Sequence, residues 1–124
     1  MTDQNIEQEI QAKGLTAPRI TPADIEANIV SEHYFTAAHG IYGALAPELR
    51  LGISCTPEDI TGPLALLTFC VLVLKNGFTV TGESACASPE NFDAELGRKI
   101  ARKNAIDKVW PLMGYALKER LAAG

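Results

Sequence analysis

Two histidines and three cysteines without a CxxC spacing leave this chain little with which to hold a metal ion. His33 and His39 stand six residues apart, about 240° around a helix, so one helical face cannot present both to the same ion. Cys55, Cys70 and Cys86 are odd in number, which points to reduced thiols rather than a disulfide framework. Long apolar runs are missing as well. The longest uncharged stretch, Ile60 to Leu74, contains Thr, Gly and Pro and falls short of the ~20 residues a membrane span needs. No basic segment precedes an apolar run near Met1, so no secretory signal is expected. The phosphate-binding patterns GxxxxGK(S/T) and GxGxxG are absent, and so is GxSxG. Ser84 has no histidine that can be assigned to it, and the carboxylate pairs Glu58/Asp59 and Asp93/Glu95 fall in first helical turns, where the macrodipole already explains them. The expectation is a non-enzymatic protein with no catalytic residues, no metal site and no cofactor.

What is present suits one domain. A chain of 124 residues is long enough to bury roughly two-thirds of its unfolded surface. Its charge is uneven. Residues 1–63 carry three cations against nine carboxylates, a net of −6, and residues 64–124 carry eight cations against six, a net of +2. That asymmetry argues against indiscriminate nucleic-acid binding and leaves room for a local anion site in the second half.

The strongest local signal is LLTFCVLVLKNGFTVTGESA, Leu66 to Ala85, which reads as a β-hairpin. Asn76-Gly77 suits a two-residue type I′ turn. That turn places Lys75 opposite Phe78, Val73 opposite Val80 and Val71 opposite Gly82, so Phe69, Val71, Val73, Phe78 and Val80 form the buried face. Three hydroxyl-Pro starts mark helices or helical turns: Thr21-Pro22, Thr56-Pro57 and Ser88-Pro89. From Pro22 to about Ala38, the stripe Ile25, Ile29, Val30, His33, Tyr34, Ala37 and Ile41 predicts one amphipathic helix with His33 on its apolar side. From Pro89, Phe92, Leu96, Gly97, Ile100, Ala101, Ala105 and Val109 predict a buried face. Trp110-Pro111 is expected to break or kink that helix.

The predicted fold is α+β: a flexible polar arm over 1–20, then a single domain over 21–124. That domain has an N-terminal helix, an irregular connection, a β-hairpin over about 66–84, and two C-terminal helices over about 89–109 and 111–121 packed on it. A two-stranded sheet is marginal alone. A third strand at Leu49 to Ser54, or pairing with a second subunit, would complete it, and a homo-oligomer is the favoured expectation.

One surface cluster rises above the background. Arg98, Lys99, Arg102 and Lys103 share a helix surface, which is either a solvated polar face with intrahelical pairs or a local anion site. Glu95 is in reach of Arg98 and Lys99, and Asp107 of Lys103, while Arg102 has no carboxylate among its helical neighbours. An anion or an acidic partner between Arg98 and Arg102 would relieve their repulsion, and a phosphate suits paired guanidinium groups. Tyr115, Trp110 or Tyr42 is a candidate to stack a base beside it.

The segments LTFCVLVLKNGFTVTGESA, SPENFD, GRKIA and VWPLMGYALKERL resemble the family of small phage and prophage proteins named after gene products forty-nine and sixty-six of two tailed bacteriophages. The likeness runs from about Ile25 to Leu121. It implies a viral or prophage origin, expression in the cytoplasm of a bacterial host and an accessory role; it carries over no catalytic residue. The expected function is antagonism of a host antiviral defence, by sequestering a phosphorylated signal molecule or blocking a defence complex. The alternatives are a module that redirects host replication or transcription machinery, and an assembly helper. Expected partners are therefore a host complex or a small phosphorylated ligand, with no membrane and no sequence-specific nucleic acid.

Overall fold

The computed structural model describes residues 2–45 and 62–124. Leu49–Ser54, the turn at Thr56-Pro57 and Cys55 lie outside those residues. Cys70 and Cys86 are free thiols.

Where a flexible arm was expected, Asp3–Ala12 forms helix α1. Thr2 and Asn5 build a reciprocal cap, with the Asn5 N–H donating to Thr2 Oγ1 at 3.1 Å and the Thr2 N–H to Asn5 Oδ1 at 3.2 Å. Just beyond its end, Gly14 takes φ 68°. Helix α2, Pro22–Ala27, starts as its Thr-Pro sequence predicts, and Thr21 and Asp24 cap each other. It ends early. Instead of running on to Ala38, the chain turns at Asn28 into strand β1, Ile29–Thr36, and then forms helix α3, Ala37–Ala44, capped by Thr36 and His39. The i, i+4 stripe was misleading because Ile29, Val30, Tyr34, Phe35 and Thr36 are β-branched or aromatic, and pairing with a neighbouring strand outweighed the helical period. His33, expected on the apolar side, is exposed and holds Ser31 Oγ at 3.1 Å.

A 3₁₀ turn at Pro63–Leu66 leads into β2, Leu67–Leu74, which is followed by β3, Thr79–Ala85. The sheet is antiparallel in the order β1-β2-β3, so β1 is the third strand that the hairpin lacked. The hairpin exists, but its register differs by one residue from the expected one. Leu74 N–H donates to Phe78 O and Gly77 N–H donates to Leu74 O, each at 2.9 Å, which closes a three-residue loop of Lys75, Asn76 and Gly77. Of these three residues only Gly77 has positive φ, 87°, so the turn is type I followed by a glycine bulge and not type I′. Leu72 therefore faces Val80 and Cys70 faces Gly82. One added loop residue exchanges the two faces of the strand. The buried side of β2 is Thr68, Cys70, Leu72 and Leu74, while Phe69, Val71 and Val73 lie on the other side and are half-buried.

After a 3₁₀ turn at Pro89–Asn91, helix α4 runs unbroken from Ala94 to Ala123, with the Leu96 N–H donating to Asp93 Oδ1 at 3.0 Å. Neither the start at Pro89 nor the break at Trp110-Pro111 occurs. Pro111 costs the helix one hydrogen bond, to the carbonyl of Asp107 four residues back, and both residues lie on the exposed side of the helix, where losing that bond costs least. Ala101, Ala105 and Val109 press on Cys70, Leu72 and Val80 to make the core, which Ile25 completes. Leu96 and Ile100, expected in the core, are 53% and 42% exposed. Gly82 is where helix and sheet come closest: a Cβ there would lie 2.9 Å from Ala105 Cα, and closer still to Ala101 O and Ala105 N.

Candidate ligand-binding surface

The four basic residues of the expected cluster, all on α4, have three different fates. Lys99 pairs with Glu95 at 3.4 Å and Lys103 with Asp107 at 3.0 Å, all four side chains well exposed. These are ordinary i, i+4 pairs on a solvated face. Arg102 is not the unpartnered cation expected. Its Nε donates to Glu32 Oε2 at 2.9 Å, and its Nη2 donates to Glu26 Oε1 at 2.8 Å and Oε2 at 3.0 Å. These bonds raise its pKa further above the usual guanidinium value, the Glu26 bond being the largest cause. Glu26 lies in α2 and Glu32 in β1, so Arg102 clasps both to α4 and is not available to a ligand as drawn from its helical neighbours alone.

Arg98 has no ion pair and no side-chain hydrogen bond among the described residues; Glu95, expected in reach of it, pairs with Lys99. Arg98 borders a cavity of about 120 Å³ whose walls are Tyr34, Phe35, Phe92 and Ala94, with Thr36, Thr68 and His39 supplying polar groups. The first turn of α4 adds the positive end of a helix dipole beside Ala94. Phe35 is held in place by stacking on Phe69, with ring centroids 5.5 Å apart. His39 Nδ1 accepts the Thr36 N–H at 3.1 Å, which fixes the imidazole's orientation at the cavity. Tyr115 does not join this group. It is 71% exposed, beside Phe78 and Leu112. Seventeen residues of helix separate it from Arg98, about 25 Å.

Trp110 and Tyr42 do not line the cavity either. Sequence reasoning missed Phe35, His39 and Phe92, because the first two were assigned to the wrong element and the third to the core. Beneath the site, Tyr34 donates to Glu32 Oε1 at 3.2 Å. Burial, with smaller contributions from Cys70 and Glu32, pushes the Tyr34 phenol up to about 12. Burial likewise raises the Cys70 thiol, so neither group is set up as a nucleophile. Among the described residues no group of three His, Cys, Asp or Glu side chains is placed to hold a metal, and no helix is long and apolar enough to cross a membrane.

A three-stranded antiparallel sheet with one face under a long helix, and an arginine-bordered aromatic cavity at that helix's N-terminal end, describe a small α+β protein. The chain belongs to the Phage protein (N4 Gp49/phage Sf6 gene 66) family, whose sequence profile matches residues 20–121. No match was found among curated proteins or among solved structures. Family membership makes this a phage protein with an accessory role.

Proposed function

We propose that the protein antagonises a host defence by binding, without catalysis, and that its ligand is a small phosphorylated molecule carrying a planar base. The observation that carries this reading is Arg98, a cation without a partner among the described residues, beside a cavity walled by Phe35, Phe92 and Tyr34. A guanidinium favours phosphate oxygens and aromatic walls favour a base face, so the two features together select a nucleotide-like ligand over a bare anion. The host cytoplasm is where such a signal would be met. Calorimetric titration of the purified protein with mono-, di- and cyclic nucleotides tests the reading. Saturable, salt-sensitive binding that Arg98→Ala weakens at least tenfold supports it. No binding by any of these compounds, or binding indifferent to Arg98→Ala, overturns it.

A second reading rests on the sheet face away from α4. There Phe69, Val71 and Val73, half-buried, form an apolar strip with the partly exposed Phe35 beside them. A host protein complex or a second copy of the chain would bury it, consistent with the homo-oligomer favoured from sequence. The Leu72 and Leu74 face is already occupied by α4 and does not take part. Val71→Lys discriminates the two readings: it disrupts an assembly or a pull-down and leaves nucleotide titration unchanged.

A further inference from the structure

Helix α1 lies outside the residues that match the family, 20–121, yet it is fastened by specific polar contacts to Trp110 within that range and to Arg19 just before it. Arg19 Nη1 donates to Glu7 Oε1 at 2.5 Å and Nη2 to Glu7 Oε2 at 2.7 Å, and Gln11 Nε2 donates to the same carboxylate at 2.6 Å. The indole N–H of Trp110 donates to Asp3 Oδ2 at 3.1 Å. Asp3, Ile6, Glu7 and Ile10 therefore form one face of α1 at i, i+3, i+4 and i+7, aimed at Arg19, Ile20, Pro22 and Trp110. The polar contacts are well made and the apolar ones are not. A cavity of about 250 Å³ remains between this face and Ile20, Pro22 and Trp110, and Ile6 stays 41% exposed. A gap of that kind forfeits the dispersion contacts its lining would otherwise make. A ten-residue helix is also too short to be stable by itself, so α1 owes its structure to this docking.

We propose that Arg19, Ile20, Pro22 and Trp110 form a receptor groove for an acidic amphipathic helix of a partner protein, and that α1 is an underfilled occupant held there in cis. The partner's helix carries the pattern acid-x-x-apolar-acid-x-x-apolar, read from Asp3, Ile6, Glu7 and Ile10. Its two apolar residues are larger than isoleucine, filling the volume that α1 leaves open. Charge complementarity to Arg19 fixes the second acid, and the indole N–H fixes the first.

The single tryptophan of the chain reports on this groove directly. The probe is a synthetic peptide of residues 2–13 carrying Ile6→Phe and Ile10→Phe, titrated into the full-length protein while Trp110 emission is followed. Saturable binding is expected, and a control peptide with Glu7→Lys in addition should bind at least tenfold more weakly. In the protein, Glu7→Ala weakens the cis occupant and leaves Arg19 free, so the probe peptide should bind that variant at least tenfold more tightly than wild type. A purely structural role for Glu7 predicts no such gain. Failure of the probe to bind both wild type and the Glu7→Ala variant, with the variant's melting cooperative, overturns the proposal. So does a wild-type dimer that Ile6→Asp converts to monomer while the peptide remains unbound, since α1 of a second copy would then be the occupant.

Discussion

Replacing Gly82 by alanine is expected to be among the most damaging single-methyl changes in this protein. A Cβ at Gly82 meets the backbone of α4, with Ala105 Cα at 2.9 Å and Ala101 O and Ala105 N nearer still. Backbone cannot swing aside as a long side chain can. Ordinary carbon contacts are ~3.5–4.0 Å, so α4 must retreat from β3 by about 1 Å, which forfeits a quarter to a half of each contact across the gap. The residues facing that gap, Ala101, Ala105, Val109, Cys70, Leu72 and Val80, are most of the core. Overpacking costs about 1–3 kcal/mol in ordinary cases, and this one sits at or above the top of that range. The lower chain entropy of alanine returns only ~0.4–1 kcal/mol. A net loss of about 2–4 kcal/mol lowers the melting temperature by roughly 10 °C in a domain of this size. Differential scanning calorimetry of the purified variant measures it. A melting temperature within about 2 °C of wild type would mean that the helix does not lie against Gly82, and the packing described here would be wrong.

Gly114→Ala makes the opposite case, since nothing lies within 4 Å of a Cβ there; in the interior of α4 it should stabilise by ~0.5–1 kcal/mol, read from the same scans. Arg102→Ala should cost about 1–2 kcal/mol of stability in denaturant unfolding, because it removes charged hydrogen bonds to two partly exposed carboxylates, and it should leave nucleotide binding within about threefold when measured below the unfolding transition. Gly77→Val should destabilise by about 1–2 kcal/mol through the β-branched residue at φ 87°, with Gly77→Asn clearly milder. Tyr34 gives an alkaline prediction: its folded pKa is raised to about 12, so its contribution to stability is fully present below the unfolded value of ~10 and is lost as pH rises from there through 12. A tyrosinate absorbance titration should show a late step that Tyr34→Phe removes. At the acid end, Glu7 is held at about 2, chiefly by its hydrogen bonds from Arg19, so its share of the docking of α1 persists above the unfolded carboxylate value of ~4.3 and disappears as pH falls towards 2; Trp110 emission should follow that loss in wild type and not in Glu7→Gln.

The parts of the fold that the sequence revealed are those set by contiguous residues. Thr21-Pro22 capped a helix because hydroxyl, proline and Asp24 act within four positions. The hairpin was legible because its two apolar runs flank a glycine. The errors arose where a distant contact chose between two local solutions. Asn76-Gly77 permits a two-residue loop, but that loop would have turned Phe69, Val71 and Val73 inward and set bulky side chains against α4. The three-residue loop instead places Gly82 beneath Ala101 and Ala105, where only a glycine fits. The close approach of the helix thus favours the longer turn, and neither element announces the other. The same holds for Ile29 to Thr36, which has a plausible helical stripe and becomes a strand because the exposed edge of β2 needs a partner.

The basic cluster shows this dependence at the level of a candidate site. Counting neighbours along one helix correctly paired Lys103 with Asp107 and Lys99 with Glu95, since both partners lie four residues away. The same count left Arg102 without a carboxylate, because Glu26 and Glu32 are 76 and 70 residues distant. On one continuous helix those two glutamates would be about 240° apart and no single side chain would meet both. The break at Asn28, the bulge at Val30 between Ile29 and Ser31, and the pairing of β1 with β2 bring them to the same side of α4. Arg102 is then used within the fold, and in the proposed function the ligand cation is Arg98 instead. A candidate binding arginine is picked out less by what its own helix lacks than by what the assembled fold leaves uncompensated, and among the described residues of this surface that is Arg98, beside Phe35 and Phe92.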